Sequence, residues 1–401
     1  MKALLTVLQN NNKIFRTMKV PVEFDEIRPF EPEELPQAYE RLLANPQFRK
    51  VIEFVLPGVP FEMIEKKMYS CKTNFEFQLN FCYAFLQKLV DSFTKGFSMD
   101  ISCISVDRRY TFVSNHRDIV IDPAFLGKGL IDNGFKTTCE IAIGDNLLSL
   151  PWVKDLVRVV KSFIVKRGLS PRETLAASKV MSDYMYFVME QKHDNIWIAQ
   201  REGRAKDSDD RTQPTILKMM AMGGGKGSVV EKLKRLHIVP MAISYELDPC
   251  DFLKAQEFQL KRDIAGWKKS AQDDVVSMQT GITGNKGRVH YHCAPCINEW
   301  LDTLDPEMPK TEVFDVIAAH IDHEIHRNYR LYPLNYVALD TLDGGTAHAD
   351  KYTDEDRAAF EKYLDGQMAK INIENKDEAY LRERMLTMYA NPARNFIKAS
   401  E

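Results

Sequence analysis

Three titratable residues in one short stretch are the arrangement in this sequence best suited to chemistry: His116, Asp118 and Asp122 in Ser114-Asn115-His116-Arg117-Asp118-Ile119-Val120-Ile121-Asp122-Pro123. An imidazole changes charge near neutral pH, and a carboxylate close to it fixes its tautomer and stabilises the imidazolium, so the pair is a compact general base. Asp122-Pro123 reads as a helix start, because aspartate accepts an orphan N–H and proline suits the first helical position. A carboxylate at a helix start can be held in place, which makes Asp122 the preferred partner of His116 and Asp118 the alternative. The competing reading is a surface histidine beside a capping aspartate.

Two cationic stretches are candidates for holding an anionic substrate. Lys161-Ser162-Phe163-Ile164-Val165-Lys166-Arg167-Gly168 ends an apolar run in two adjacent charges, suited to charge-assisted hydrogen bonds to phosphate. Gln200-Arg201-Glu202-Gly203-Arg204 places a glycine, which lets backbone approach a ligand, between arginines. Taken alone, a run such as the first is more often a solvated surface.

Other tempting groups are set aside. Met222-Gly223-Gly224-Gly225-Lys226-Gly227-Ser228 lacks the Ser or Thr after lysine and the upstream glycine of a phosphate loop, and reads as a flexible loop. His290, His292, Cys293 and Cys296 lie in an alternating strand pattern without a second cysteine pair, so no zinc site is expected there. His320, His323 and His326 share a helical face, and His323-Glu324-Ile325-His326 is one residue short of the zinc-protease pattern. No metal is assigned.

The elements that must position these residues follow from hydrophobic periodicity. Ile101–Val106, Tyr110–Val113, Glu140–Gly144, Phe163–Val165, Ile196–Ala199 and the run 237–246 read as strands, with helical segments between them, the texture of an α/β layer. Within the run 237–246, Pro240 argues for an edge position or a strand end. Before this region, Glu31-Pro32-Glu33-Glu34 opens a helix carrying Tyr39, Leu42 and Leu43, and Phe75 to Phe93 forms a broad apolar helical face. That face reads as core packing, with a groove for an acyl chain as the functional alternative. After Pro306 the pattern is again helical, with a capped start at Thr353-Asp354-Glu355-Asp356.

Composition bounds the class. The chain has 401 residues, 44% of them apolar, enough for a large core and two or three domains. A net charge of −3 gives no global reason to expect nucleic acid. Seven cysteines without framework spacing point to a reducing, cytoplasmic compartment. Met1–Leu8 is apolar only briefly and makes a poor signal peptide, and no stretch is long enough to span a membrane.

Taken in order, the Asn115-His116-Arg117 turn, the Phe-Ile-Val-Lys-Arg run, the Glu202-Gly203-Arg204 loop and the Ile238-Val239-Pro240 strand resemble the glycerolipid acyltransferase family. This family comprises glycerol-3-phosphate and 1-acylglycerol-3-phosphate acyltransferases with their dihydroxyacetone-phosphate relatives, and the resemblance covers roughly residues 100 to 300. It departs from the family in two places: five residues rather than four separate His116 from Asp122, and a single residue separates Glu202 from Arg204.

The resemblance implies a mixed central sheet flanked by helices over 99–305, between helical regions at 1–98 and 306–401. It implies His116 as the base that takes the acceptor's proton during attack on an acyl thioester, with an aspartate holding the ring. Lys166, Arg167, Gly203 and Arg204 would hold the acceptor's phosphate, with Glu202 organising the loop. The implied reaction transfers a fatty acyl group from acyl-CoA or acyl carrier protein to glycerol 3-phosphate or 1-acylglycerol 3-phosphate, with no cofactor beyond that co-substrate. Peripheral contact with the inner face of the membrane is the matching location. An acceptor lacking phosphate, such as an acyl-amino-acid lipid, and a catalytically silent lipid- or carrier-binding module are the alternatives.

Overall fold

The short apolar runs assemble into one seven-stranded mixed sheet: β1 Phe97–Asp100, β2 Thr111–Ser114, β3 Cys139–Gly144, β4 Ser162–Val165, β5 Asn195–Ala199, β6 Ile238–Tyr245 and β7 Val289–Cys293, ordered β1-β7-β6-β2-β5-β3-β4. This computed structural model describes residues 19–401 apart from Ser149, so Met1–Leu8 and its reading as a poor signal peptide lie outside the described residues.

Strands β6, β2, β5, β3 and β4 run parallel, whereas β7 is antiparallel to β6 and pairs in parallel with the edge strand β1. Strands covered on both faces read as continuous apolar runs, and those covered on one face alternate. Every residue of β2 and β6 is buried, while β7 alternates between buried and half-buried.

Successive side chains point to opposite faces, which splits the core. Val113, Ile198, Ile238 and Ala242 pack with the helices Pro171–Phe187 and Lys310–Arg327. Phe112, Trp197, Val239, Met241 and Tyr291 pack on the other face with the helices Tyr83–Phe93 and Ile121–Asp132. An N-terminal cluster built on the helices Leu35–Ala44, Pro46–Val55 and Phe61–Ser70 buries Tyr39, Leu42, Phe77 and Phe81. The apolar face of 75–93 is therefore core. A fourth cluster joins the C-terminal helices Pro333–Asp343, Asp354–Met368 and Glu378–Ser400, the second of them opened by a Thr353 capping box.

Two expectations about strands fail for local reasons. Ile101–Val106 is not a strand: β1 ends at Asp100, whose carboxylate accepts the Ser102 amide at 2.8 Å and turns the chain out of the sheet. Pro240 lies neither at an edge nor at a strand end, but third in the interior strand β6. Its missing N–H is tolerated because the β6–β7 ladder ends at the Met241–Cys293 pair, beyond which Ala294 donates to the Pro240 carbonyl at 2.9 Å. No helix among the described residues is long and apolar enough to cross a membrane.

Candidate active site

Parallel strands deliver their following loops to one end of a sheet, and ligands of open α/β sheets bind there. His116 lies two residues past β2, Arg201–Arg204 follow the neighbouring β5, and Lys166-Arg167 follow β4. At about 4.8 Å between strands, β4 leaves the sheet roughly 14 Å from β2.

The chain turns sharply after β2 because Asn115 extends the ladder with its side chain. Its Nδ2 donates to the Ile243 carbonyl at 2.9 Å and its Oδ1 accepts the Ile243 amide at 2.7 Å, as a backbone residue would. The backbone is thereby released for the turn while β6 stays paired. Asn115→Ala would strand both Ile243 groups in a fully buried place, and a loss of about 2–4 kcal/mol in urea unfolding is expected. A loss below about 0.5 kcal/mol would contradict this role.

His116 points its Nδ1 at Asp122 Oδ2, 2.8 Å away, and rests edge-on against Trp197 with ring centroids 5.4 Å apart. The ring is 13% exposed and the carboxylate fully buried. Oδ2 also accepts the backbone amides of Arg117 at 2.6 Å and Asp118 at 3.0 Å, and Oδ1 accepts the Tyr245 hydroxyl at 2.9 Å. Burial favours the neutral acid, but the hydrogen bond and charge of His116 and the two amides outweigh it and hold Asp122 below the usual carboxylate range. An ionised carboxylate only accepts, so the ring donates from Nδ1 and keeps a lone pair on Nε2, which has no partner among the described residues.

Asp118 does different work. Its Oδ1 accepts the amides of Val120 at 2.9 Å and Ile121 at 2.8 Å, just ahead of a helix whose N-cap is Val120 and whose first residue is Ile121, two residues earlier than Asp122-Pro123 indicates. Asp122 is the residue whose carboxylate turns back onto the preceding loop. Asp118 fits only because Gly281 faces it: a Cβ there would lie 1.8 Å from Asp118 Oδ2. Burial, then the charge of Asp122, push the Asp118 carboxyl up.

The remaining sequence candidates divide. Arg167 Nη1 pairs with Glu202 Oε1 at 2.6 Å, joining the loop after β4 to the loop after β5. Lys166 turns away to Glu26. Gly203 takes a φ of +67°, which turns the loop so that Arg204 comes close enough to Asp118 for its charge to be felt there. Arg201 Nε and Arg204 Nη1 are buried without hydrogen-bond partners among the described residues. The structure thus gathers His116, Asp122, Asp118 and Arg204, links Arg167 through Glu202, and leaves Lys166 apart.

Several supports are invisible in the sequence. Arg117, next to the histidine, is buried and pairs with Asp210 Oδ2 at 2.7 Å, where Tyr329 also donates at 2.6 Å. His326, from the triplet on the helix Lys310–Arg327, lies 2.8 Å from the Asp210 carbonyl, and His320 stacks on Trp300. His290 pairs with Ser98 at 2.8 Å, and Cys293 is core. Their sequence neighbourhoods carry no signal of these partners, which lie tens to more than a hundred residues away.

Comparison with known proteins bears on this site directly. Residues 94–244, which contain β1 to β6 but for the last residue of β6, match the Acyltransferase family. Among solved structures, the chain is similar to the 1-acyl-sn-glycerophosphate (LPA) acyltransferase PlsC from Thermotoga maritima, at 10% identity and a TM-score of 0.36, covering 72% of this chain and 95% of that one. No curated protein sequence matches. The family match falls on the segment that carries the His116–Asp122 pair and both loops: residues 94–244 are similar to an acyltransferase domain.

Proposed function

We propose that this enzyme moves a fatty acyl group from acyl-CoA or acyl carrier protein to a hydroxyl of glycerol 3-phosphate or 1-acylglycerol 3-phosphate, with His116 as general base and Asp122 as its partner. The observation that carries the reading is the His116 Nδ1 to Asp122 Oδ2 contact of 2.8 Å, which leaves Nε2 available at the sheet end where the cationic loops converge. Nε2 takes the hydroxyl proton as the oxygen attacks the thioester carbon. The carbon–sulfur bond breaks, and the departing thiolate takes the proton back from the imidazolium.

Direct transfer agrees with the thiols present. Cys250 and Cys293 are buried, and burial pushes both up, Cys250 to about 12, which disqualifies them as nucleophiles for a covalent acyl-enzyme. The acceptor's phosphate is assigned to Arg204 with Arg201, whose buried guanidinium atoms lack partners, and to Arg167 once Glu202 yields it. A cytoplasmic enzyme in peripheral contact with the membrane matches such a lipid acceptor.

The test is turnover of labelled acyl-CoA and acyl carrier protein by purified protein against a panel of glycerol phosphates and lyso-lipids. Acylated glycerol phosphate as the main product supports the reading, and no transfer to any hydroxyl ends it. A second reading, an acceptor without phosphate, is favoured by one observation: Lys166 and Arg167 already have acidic partners in Glu26 and Glu202. Arg167→Ala with Arg204→Ala separates the two. An apparent KM raised about tenfold or more for the phosphorylated acceptor is expected, and an unchanged KM would favour the second.

A further inference from the structure

The carboxylate beside His116 has two oxygens in different hands. Oδ2 takes the imidazole and two backbone amides of its own turn, whereas Oδ1 takes a single donor, the Tyr245 hydroxyl at 2.9 Å. Tyr245 is the last residue of β6, 123 residues along the chain, and its ring is held in the core between the sheet and the helix Ile121–Asp132. A neighbouring tyrosine, Tyr291 of β7, donates at 3.1 Å to the backbone carbonyl of Asp122 rather than to its carboxylate.

We propose that Tyr245 is a positioning residue for acyl transfer: its hydroxyl fixes the plane of the Asp122 carboxylate and draws off part of its charge, so that His116 is oriented without being over-stabilised as imidazolium. The proposal rests on His116 as the base. A carboxylate whose second oxygen is unheld can rotate, and its whole charge falls on the ring. The imidazolium then becomes more stable, and less neutral base is present at a given pH. Burial, followed by the Asp122 charge, pushes the Tyr245 phenol far above its ordinary range, so the hydroxyl keeps its proton and stays a donor throughout the working pH range.

The other charged groups facing the pair are Asp118 in the same turn, Arg117 with Asp210, Arg204 after β5, Lys254 on the Arg117 carbonyl, and Lys286 after the helix Ala271–Thr283. Tyr245→Phe leaves all of them in place.

The experiment compares Tyr245→Phe, Tyr291→Phe and the parent in full-length protein. It uses pH–rate profiles of acyl transfer and an NMR titration of the His116 ring, assigned by its loss in His116→Ala. Tyr245→Phe is expected to lower kcat about tenfold with KM within about twofold, and to move the acid limb and the ring's titration midpoint upward by about half to one pH unit. Tyr291→Phe removes a buried hydroxyl that reaches Tyr245 and the Asp122 carbonyl but does not hold the carboxylate, and it moves both midpoints less than Tyr245→Phe does. Fluorotyrosine at position 245, a stronger donor of nearly the same shape, moves them downward and covers the case in which the phenylalanine variant does not fold. Unmoved midpoints in Tyr245→Phe, or equal movement in Tyr291→Phe, would overturn the proposal. The NMR titration needs no turnover, so it distinguishes failure of this coupling from failure of the base assignment, which would appear as activity persisting in His116→Ala.

Discussion

His116→Ala is expected to lower acyl transfer by about 10²- to 10⁴-fold, the contribution of a positioned base to proton removal from an alcohol. The effect is expected in kcat more than in KM, because a general base acts only as the oxygen attacks and the proposed substrate contacts are the arginines of the neighbouring loops. The substitution is kind to the fold. The ring is partly exposed, and its removal costs the edge contact with Trp197 and one hydrogen bond to Asp122, whose Oδ2 keeps the Arg117 and Asp118 amides. Circular dichroism and unfolding midpoints close to the parent, together with lost turnover, are the predicted combination. Parental turnover in His116→Ala would end the mechanism.

Asp122→Asn is the second large effect, and the contrast with Asp118→Asn makes it decisive. An asparagine at 122 is nearly isosteric but neutral. It cannot stabilise the imidazolium, and its amide group can face the ring, reversing which nitrogen holds the proton. A loss of about 10²- to 10⁴-fold in kcat is expected.

Asp118→Asn keeps a side-chain oxygen that can accept the Val120 and Ile121 amides, and activity within a few-fold of the parent is expected. If Asp118→Asn were the more damaging change, the assignment of the partner would be reversed.

The same carboxylate gives a pH signature in stability. Because the folded state holds Asp122 below its ordinary range, its contribution is complete above the unfolded aspartate value and is lost as pH falls through the lowered one. Acid unfolding of Asp122→Asn should therefore show a weaker pH dependence below about pH 4 than that of the parent.

Much of the arrangement was legible because local pattern and chemistry coincide in short segments. The runs at 111–114, 139–144, 162–165, 195–199 and 238–245 are apolar and β-branched over the length of a buried strand, and each becomes one. Ile101–Val106 misled because its apolar residues satisfy the strand pattern, while Asp100, just ahead of them, ends the strand through a side-chain contact that periodicity does not register. Pro240 misled for a complementary reason: a missing donor is costly only where a partner strand waits for it, and where β7 stops is a property of the pairing.

At the site, the sequence by itself singled out the candidate base and a short list of acids near it, because a histidine at a strand exit followed by a helix start allows the chain to turn back and bring carboxylates within six residues close to the ring. Which acid serves the ring, Asp122 or Asp118, was decided only by the turn, whose backbone amides point at one carboxylate and whose helix start claims the other. The same holds for the groups that come from afar. Tyr245, Tyr291, Asp210 and the Arg167–Glu202 pair reach the site across strand order, and strand order is set by the burial of whole faces, a sum over the chain that no single segment carries.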